Sequence, residues 1–246
     1  MKCESCGVTQ VANPPGIDEL EAAELKYQET KQRDYERHPQ WQLEVETIDE
    51  LALKGGKALD VGCGDGTFLS MLGDHWKKFG VEINPERSGE AKAKGIEVQI
   101  CNIMEADFPL KFDLITMYEV IEHLYRPADA LKKVKTILAQ DGLLVISTPD
   151  SESAIARLRG PAWWSYHYPP HIFFFGHSWF EKMIKGIGFR ILRRRFGVHG
   201  SPFRGRKGRK LEALASGSPL VAKNPLGDRM FYYLRKERSP PTQRGH

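Results

Sequence analysis

Four cysteines in 246 residues are too few and too scattered for a disulfide framework, so reduced thiols are expected. No apolar run approaches the roughly 20 residues that a membrane-spanning helix needs. The opening Met1-Lys2-Cys3-Glu4-Ser5-Cys6 lacks the apolar core of a secretion signal. These absences point to a cytoplasmic protein. Charge of neither sign dominates: 36 basic and 32 acidic side chains leave a formal +4, too little by itself to imply nucleic acid. Glycine is absent from residues 17 to 53, which are polar with spaced apolar positions and predict one or two helices. Acid is absent from the stretch Arg190 to Lys210, which carries Arg190, Arg193, Arg194, Arg195, Arg204, Arg206, Lys207, Arg209 and Lys210. That stretch suits an acidic substrate, RNA or a solvated loop. No RNA-recognition aromatic motif accompanies it, which disfavours a nucleic-acid partner.

At 41% hydrophobic content the chain can bury one sizeable core with room for a small appendage. Cys3 and Cys6 have the spacing of a zinc knuckle. They make only half of a structural site, which wants four ligands, so residues 1–16 read as the remnant of a zinc module or as two exposed thiols. From Lys57 onward, apolar runs near 57–61, 79–83, 96–100, 112–117 and 142–147 alternate with helical stretches near 67–75, 86–94 and 127–139. Alternation of this kind predicts an α/β fold, a doubly wound and mostly parallel sheet with helices on both faces. A helix from Ser178 to Lys185, a strand from Phe189 to Phe196 and a last strand from Arg229 to Leu234 follow. A Gly-, Pro-, Ser- and basic-rich insertion spans 200–226, inside a main domain of 17–236, and a disordered tail spans 237–246.

The run Lys57-Ala58-Leu59-Asp60-Val61-Gly62-Cys63-Gly64-Asp65-Gly66-Thr67 is a strand that breaks into glycines and resumes as a helix. Glycines there allow a tight turn and close approach of backbone to a ligand. A dinucleotide fingerprint, G-x-G-x-x-G, would place its last glycine where Thr67 stands; the spacing here is G-x-G-x-G. Glu82 closes the next apolar run, where a second strand would offer a carboxylate to ribose hydroxyls. Further on stand Phe112-Asp113-Leu114-Ile115-Thr116-Met117, then Tyr118-Glu119-Val120-Ile121-Glu122-His123, then Gly142-Leu143-Leu144-Val145-Ile146-Ser147-Thr148-Pro149.

With these blocks in this order, residues 57 to 190 resemble the class I S-adenosylmethionine (SAM) methyltransferases, above all the branch of the ubiquinone-biosynthesis O-methyltransferases. The resemblance implies a Rossmann-like sheet of seven strands, one of them antiparallel at the edge, and SAM as cofactor. It implies a cofactor set of Asp60, Gly62, Cys63, Gly64, Gly66, Glu82, Ile83, Asn102, Ile103 and Tyr118. Asp60 and the glycine loop would hold the methionyl end and Glu82 the ribose diol. Asn102 stands where relatives usually have an aspartate facing the adenine amino group; an amide oxygen can still accept there.

Glu119, Glu122 and His123 follow the fourth strand, at the sheet edge where open α/β folds bind ligands. His171 sits before the aromatic run Ile172 to Phe175 in a segment that looks like the active-site flap of the branch. Glu119, Glu122, His123 and His171 also resemble the metal site of small-RNA 2′-O-methyltransferases and could hold Mg²⁺, Mn²⁺ or Zn²⁺. Two other roles stay open. His171 or His167 could act as a general base, or the histidines could orient the flap. Trp163, Trp164, Tyr166, Tyr168 and Phe173 to Phe175 could line an acceptor pocket or pack the core. The expected function is methyl transfer from SAM to an oxygen of a small molecule, with Glu119, Glu122, His123 and His171 shaping acceptor activation. Alternatives are methylation of a nucleotide-linked sugar at carbon or nitrogen, RNA 2′-O-methylation, and SAM binding without catalysis.

Overall fold

The computed structural model describes residues 1–3, 8–30, 39–52, 55–197 and 227–238. Cys6, the whole 200–226 insertion and residues 239–246 of the tail lie outside these. The apolar runs become strands β2 (Gly56–Val61), β3 (Trp76–Glu82), β4 (Glu97–Ile100), β5 (Phe112–Tyr118) and β6 (Leu138–Pro149), joined by β8 (Phe189–Gly197) and β9 (Arg229–Lys236). They form one seven-stranded sheet in the order β4-β3-β2-β5-β6-β9-β8. Every pair from β4 to β6 is parallel. β9 runs antiparallel to both neighbours and stands one place in from the β8 edge.

Side chains alternate across the sheet with a period of two. Leu59, Val61, Ile115, Met117, Leu144 and Ile146 face a core shared with α5 (Pro127–Ile137) and α7 (His177–Ile187). Ala58, Leu114, Leu143 and Val145 face the opposite core, under α2 (Pro39–Leu51), α3 (Thr67–Met71) and α4 (Pro85–Ala93). Both faces are covered, which is why the central strands read as unbroken apolar runs. Helix ends follow local chemistry. Pro127 opens α5, where its missing N–H costs nothing, and Asn84 Oδ1 caps α4 by accepting from the Glu86 and Arg87 amides at 2.9 and 3.3 Å. The helix expected over 67–75 stops at Met71 because Leu72 is extended and a turn at Gly73 delivers the chain into β3 at Trp76, three residues before the expected start.

At the N-terminal side, α1 (Ile17–Thr30) and α2 form the two expected helices. The short strand β1 (Thr9–Gln10) pairs with β7 (Phe173–Phe174), Val8 is buried in the first core, and the half-buried Cys3 packs on it. The basic stretch is partly neutralised where it lies on β8. Arg193 pairs with Glu50 at 2.7 Å, Arg194 pairs with Glu181, and Arg195 pairs with Glu44 of α2. Glu44 is fully buried and also accepts from the hydroxyls of Tyr233 (2.8 Å) and Tyr118 (3.3 Å), while Arg195 lies 4.4 Å over the Phe231 ring. This pair ties α2 to the far strands of the sheet.

Removing one partner of a buried pair leaves the other charge uncompensated, at about 3–5 kcal/mol. Glu44→Ala is therefore expected to lower unfolding stability by that amount in urea, and the exposed Glu46→Ala by less than about 0.5 kcal/mol; equal effects would contradict the ion-pair argument.

Candidate active site

The C-terminal ends of β2, β3 and β5 open onto a cavity of about 590 Å³. At the end of β2 the backbone turns through left-handed glycines: Gly62 (φ 74°) and Gly66 (φ 79°). A Cβ on Gly62 would stand 2.6 Å from Val120 Cγ2, and one on Gly66 would stand 2.3 Å from Ile96 Cδ1. Sterics as well as conformation thus demand glycine at both. The loop is pinned from β3, because Glu82 Oε2 accepts the Gly64 amide and Oε1 the Asn84 amide, each at 2.9 Å. Burial raises the Glu82 pKa against these bonds. Asp65, in the middle of the loop, also lines the cavity, and its carboxylate accepts the amide and hydroxyl of Thr67 and pairs with Lys94 at 2.9 Å.

Asp60 is buried beneath the loop, with Thr116 of β5 donating to its Oδ1 at 2.6 Å. Burial pushes its pKa up to about 7, opposed by the Thr116 bond and aided by the charge of Glu82. Of the expected cofactor residues, Asp60, Gly62, Cys63, Gly64, Glu82, Ile83, Asn102, Ile103 and Tyr118 line the cavity, and Gly66 supports the loop from behind. Asn102 also shapes the chain around it. Its Oδ1 accepts the amides of Met104 (2.9 Å) and Glu105 (3.2 Å), and its Nδ2 donates to Glu21 of α1 at 3.4 Å. Tyr118 packs edge-on against Trp41 and Phe68, with ring centroids at 4.9 and 4.8 Å.

The far end of the cavity holds the acid and histidine group. Donor atoms of Glu122, His123 and His171 lie within 4.8 Å of one another. Glu119 is not among them. It sits at φ 55°, the single non-glycine residue with positive φ among those described, and its carboxylate accepts from Ser147 Oγ at 2.9 Å and pairs with Arg229 at 3.1 Å. Expected with the other three, it is drawn away by a buried arginine from β9. Glu122 is fully buried, and burial, with the charge of Glu119, holds its pKa well above the usual carboxylate range; Thr148 and Arg229 offset part of this. No hydrogen bond of good geometry reaches either of its oxygens among the described residues. His171 Nε2 lies 3.8 Å from Glu122 Oε1. The His171 ring stacks on Tyr168 at 4.3 Å, and its Nδ1 lies 2.9 Å from Ser165 Oγ and 3.2 Å from the Ser165 carbonyl. Burial lowers the His123 pKa, opposed by the charges of Glu24 and Glu119. His167 is outside the cavity lining, its Nε2 2.8 Å from the Pro161 carbonyl.

Several lining residues escaped the sequence reading. Ile17, Leu20, Glu21 and Glu24 come from α1, Trp41 from α2 and Arg229 from β9. The first four are spaced i, i+3, i+4 and i+7, a readable single face. Arg229 left no signal beyond a charge opening an apolar strand. A second group, Asp150, Glu152 and His177, is accounted for at the start of α7. There Asp150 Oδ1 accepts the His177 and Glu152 amides, Asp150 Oδ2 meets His177 Nδ1 at 2.9 Å, and Glu152 Oε2 accepts the Ser178 amide.

A family model described as a methyltransferase domain matches residues 32–194. The chain belongs to this methyltransferase family. Among curated relatives, the ubiquinone biosynthesis O-methyltransferase of Stutzerimonas stutzeri is 30% identical over 120 residues, 43% of this chain and 50% of that protein. The chain spans about half the length of the curated relatives it matches. Among solved structures, a possible histamine N-methyltransferase of Thermotoga maritima shares the methyltransferase fold at TM-score 0.65 and 20% identity, over 89% of this chain and all of that one. A Burkholderia thailandensis 1,6-didemethyltoxoflavin-N1-methyltransferase, solved with S-adenosylhomocysteine, does so at TM-score 0.62 and 14% identity, over 96% and 97% of the two chains.

Gly66→Ala in this methyltransferase loop is expected to cost clearly more stability than Gly64→Ala in chemical denaturation. Both force a side chain into the left-handed region at about 1–2 kcal/mol, but a Cβ at Gly64 meets only ordinary contact with Arg87, at 3.5 Å. Equal losses would refute the packing argument.

Proposed function

We propose that the chain is a SAM-dependent methyltransferase that moves the sulfonium methyl to an oxygen of a small molecule and releases S-adenosylhomocysteine. One observation carries the reading: a glycine loop pinned by Glu82 and a buried Glu–His group open into the same cavity, whose volume falls in the range of small-molecule sites, about 300–1,000 Å³. Such a cavity can hold donor and acceptor in line, which is most of what a methyl displacement needs. Glu82 keeps lone pairs for the ribose diol, since each oxygen takes one amide so far. Asp60 faces the methionyl ammonium. Ile103 supplies an apolar wall for the purine, while Asn102 fixes its turn.

At the acceptor end, the Ser165 carbonyl can only accept, so it favours the proton on His171 Nδ1 and leaves a lone pair on Nε2. His171 then draws off the acceptor's proton as its oxygen attacks the methyl carbon and the carbon–sulfur pair returns to sulfur. The other chemistry at this place is a divalent cation. It is supported by the two Glu122 oxygens that lack good hydrogen bonds beside His123 and His171. Those three residues would hold Mg²⁺, Mn²⁺ or Zn²⁺, which when bound lowers the pKa of a coordinated hydroxyl. Oxygen as the acceptor atom is supported by the O-methyltransferase relative. The cavity's volume, in the range of small-molecule sites, favours a small molecule over RNA.

Two measurements test this. Below about pH 7 Asp60 is protonated and cannot pair with the ammonium, so cofactor binding must release that proton. The affinity for S-adenosylhomocysteine in calorimetry should therefore rise up to about tenfold per pH unit toward 7 and level above it. Asp60→Asn should flatten the profile, and a flat profile in the unaltered chain would refute the ammonium role. Second, His171→Ala should cut turnover by about 10²–10⁴ with little change in cofactor affinity, and turnover should survive a chelator. Abolition by chelator and rescue by one divalent ion would select the metal instead.

A further inference from the structure

The α1 face that lines the cavity carries two carboxylates, one reaching toward each end. Glu21 Oε1 accepts from Asn102 Nδ2 behind β4, and Glu24 Oε2 lies 3.3 Å from His123 Nδ1 beyond β5. Glu24 is felt at both ends of the cofactor's place: its charge raises the pKa of Glu82 on one side and that of His123 on the other. With the ribose at Glu82 and the transferable methyl toward His123 and His171, the atom between them is sulfur, which is bonded to both the ribose carbon and the methyl.

We propose that Glu24 is the counter-charge to the cofactor's sulfonium and makes the site prefer the methyl donor over its demethylated product. The inference rests on the SAM reading above. Donor and product share adenine, ribose, ammonium and carboxylate, and differ by one methyl and one positive charge. Asp60 and Glu82 meet parts that both molecules carry, so neither can tell them apart. Glu24 is placed to meet the part that differs. During transfer the positive charge passes from sulfur to the acceptor oxygen and leaves with its proton. Once the sulfur is neutral, Glu24 loses its attraction for the cofactor, which favours release of S-adenosylhomocysteine.

The test is calorimetric titration of the full chain and of Glu24→Gln, with chelator present, using three ligands. These are SAM, an aza analogue with a protonated amine in place of the sulfonium, and S-adenosylhomocysteine. Glu24→Gln is expected to weaken the two charged ligands by about tenfold, the scale of one partly screened charge contact, and S-adenosylhomocysteine by less than about threefold. Glu21→Gln, on the same helix face, should shift all three alike. Glu24→Asp, which keeps the charge, should retain a preference that Glu24→Gln lacks. Parallel losses for charged and neutral ligands in Glu24→Gln, no loss for any, or the same preference in Glu24→Asp and Glu24→Gln would each overturn the proposal. If none of the three ligands binds the unaltered chain, the cofactor reading beneath it fails.

Discussion

Everything at the site depends on the parallel pairing of β2 with β5. Strand order reverses there: β3 and β4 follow on one side of β2, β5 and β6 on the other. The connecting helices α3 and α4 pack on one face and α5 on the opposite face. Helices that diverge in this way leave a crevice above the C-terminal strand ends. The register places Asp60 opposite Thr116, and the 2.6 Å hydrogen bond between them crosses the crevice floor. A shift of one residue would turn Asp60 to the other face of the sheet and take the carboxylate away from the cavity.

From that floor, polar groups accumulate at one edge of an otherwise apolar sheet. Glu82 closes β3 and pins the glycine loop through two backbone amides. Glu119 follows β5 in a left-handed conformation that costs a residue with a side chain about 1–2 kcal/mol. Its bonds to Ser147 and Arg229 hold it there. Strain at a ligand-binding edge, kept in place by neighbours on β6 and β9, is the pattern expected where geometry serves chemistry. The antiparallel β9 has its own part in this: because it runs opposite to β6, its first residue, Arg229, arrives at the edge where β6 ends.

The central strands and the Gly62–Gly66 turn were legible because their signals are local: an apolar run, a glycine where a Cβ has no room, a carboxylate closing a strand. The local pattern overextends α3 because the turn at Gly73 depends on where β3 must begin in order to pair with β2. Spacing groups Glu119 with Glu122 and His123, yet its partner comes from a strand 110 residues later. Asn102 lines the cavity as the resemblance implies, and the two backbone amides that its side chain also accepts are not legible in the motif. The β8 arginines read as one basic run, although Arg195 is buried on Glu44, and the carboxylate brought by α2 together with the Phe231 ring makes that burial tolerable.

The sequence by itself determined the α/β class, the cofactor-type loop and the residue types at the sheet edge, because periodicity and steric demand act within a few residues. The tertiary structure alone decided which of those residues meet. It set Glu119 apart from Glu122, His123 and His171 by pairing it with Arg229, and brought Glu24 to His123 across the cavity from a helix near the start of the chain. Contacts of that kind depend on chain crossings and strand direction, which are properties of the whole sheet and leave no trace in any local stretch of sequence.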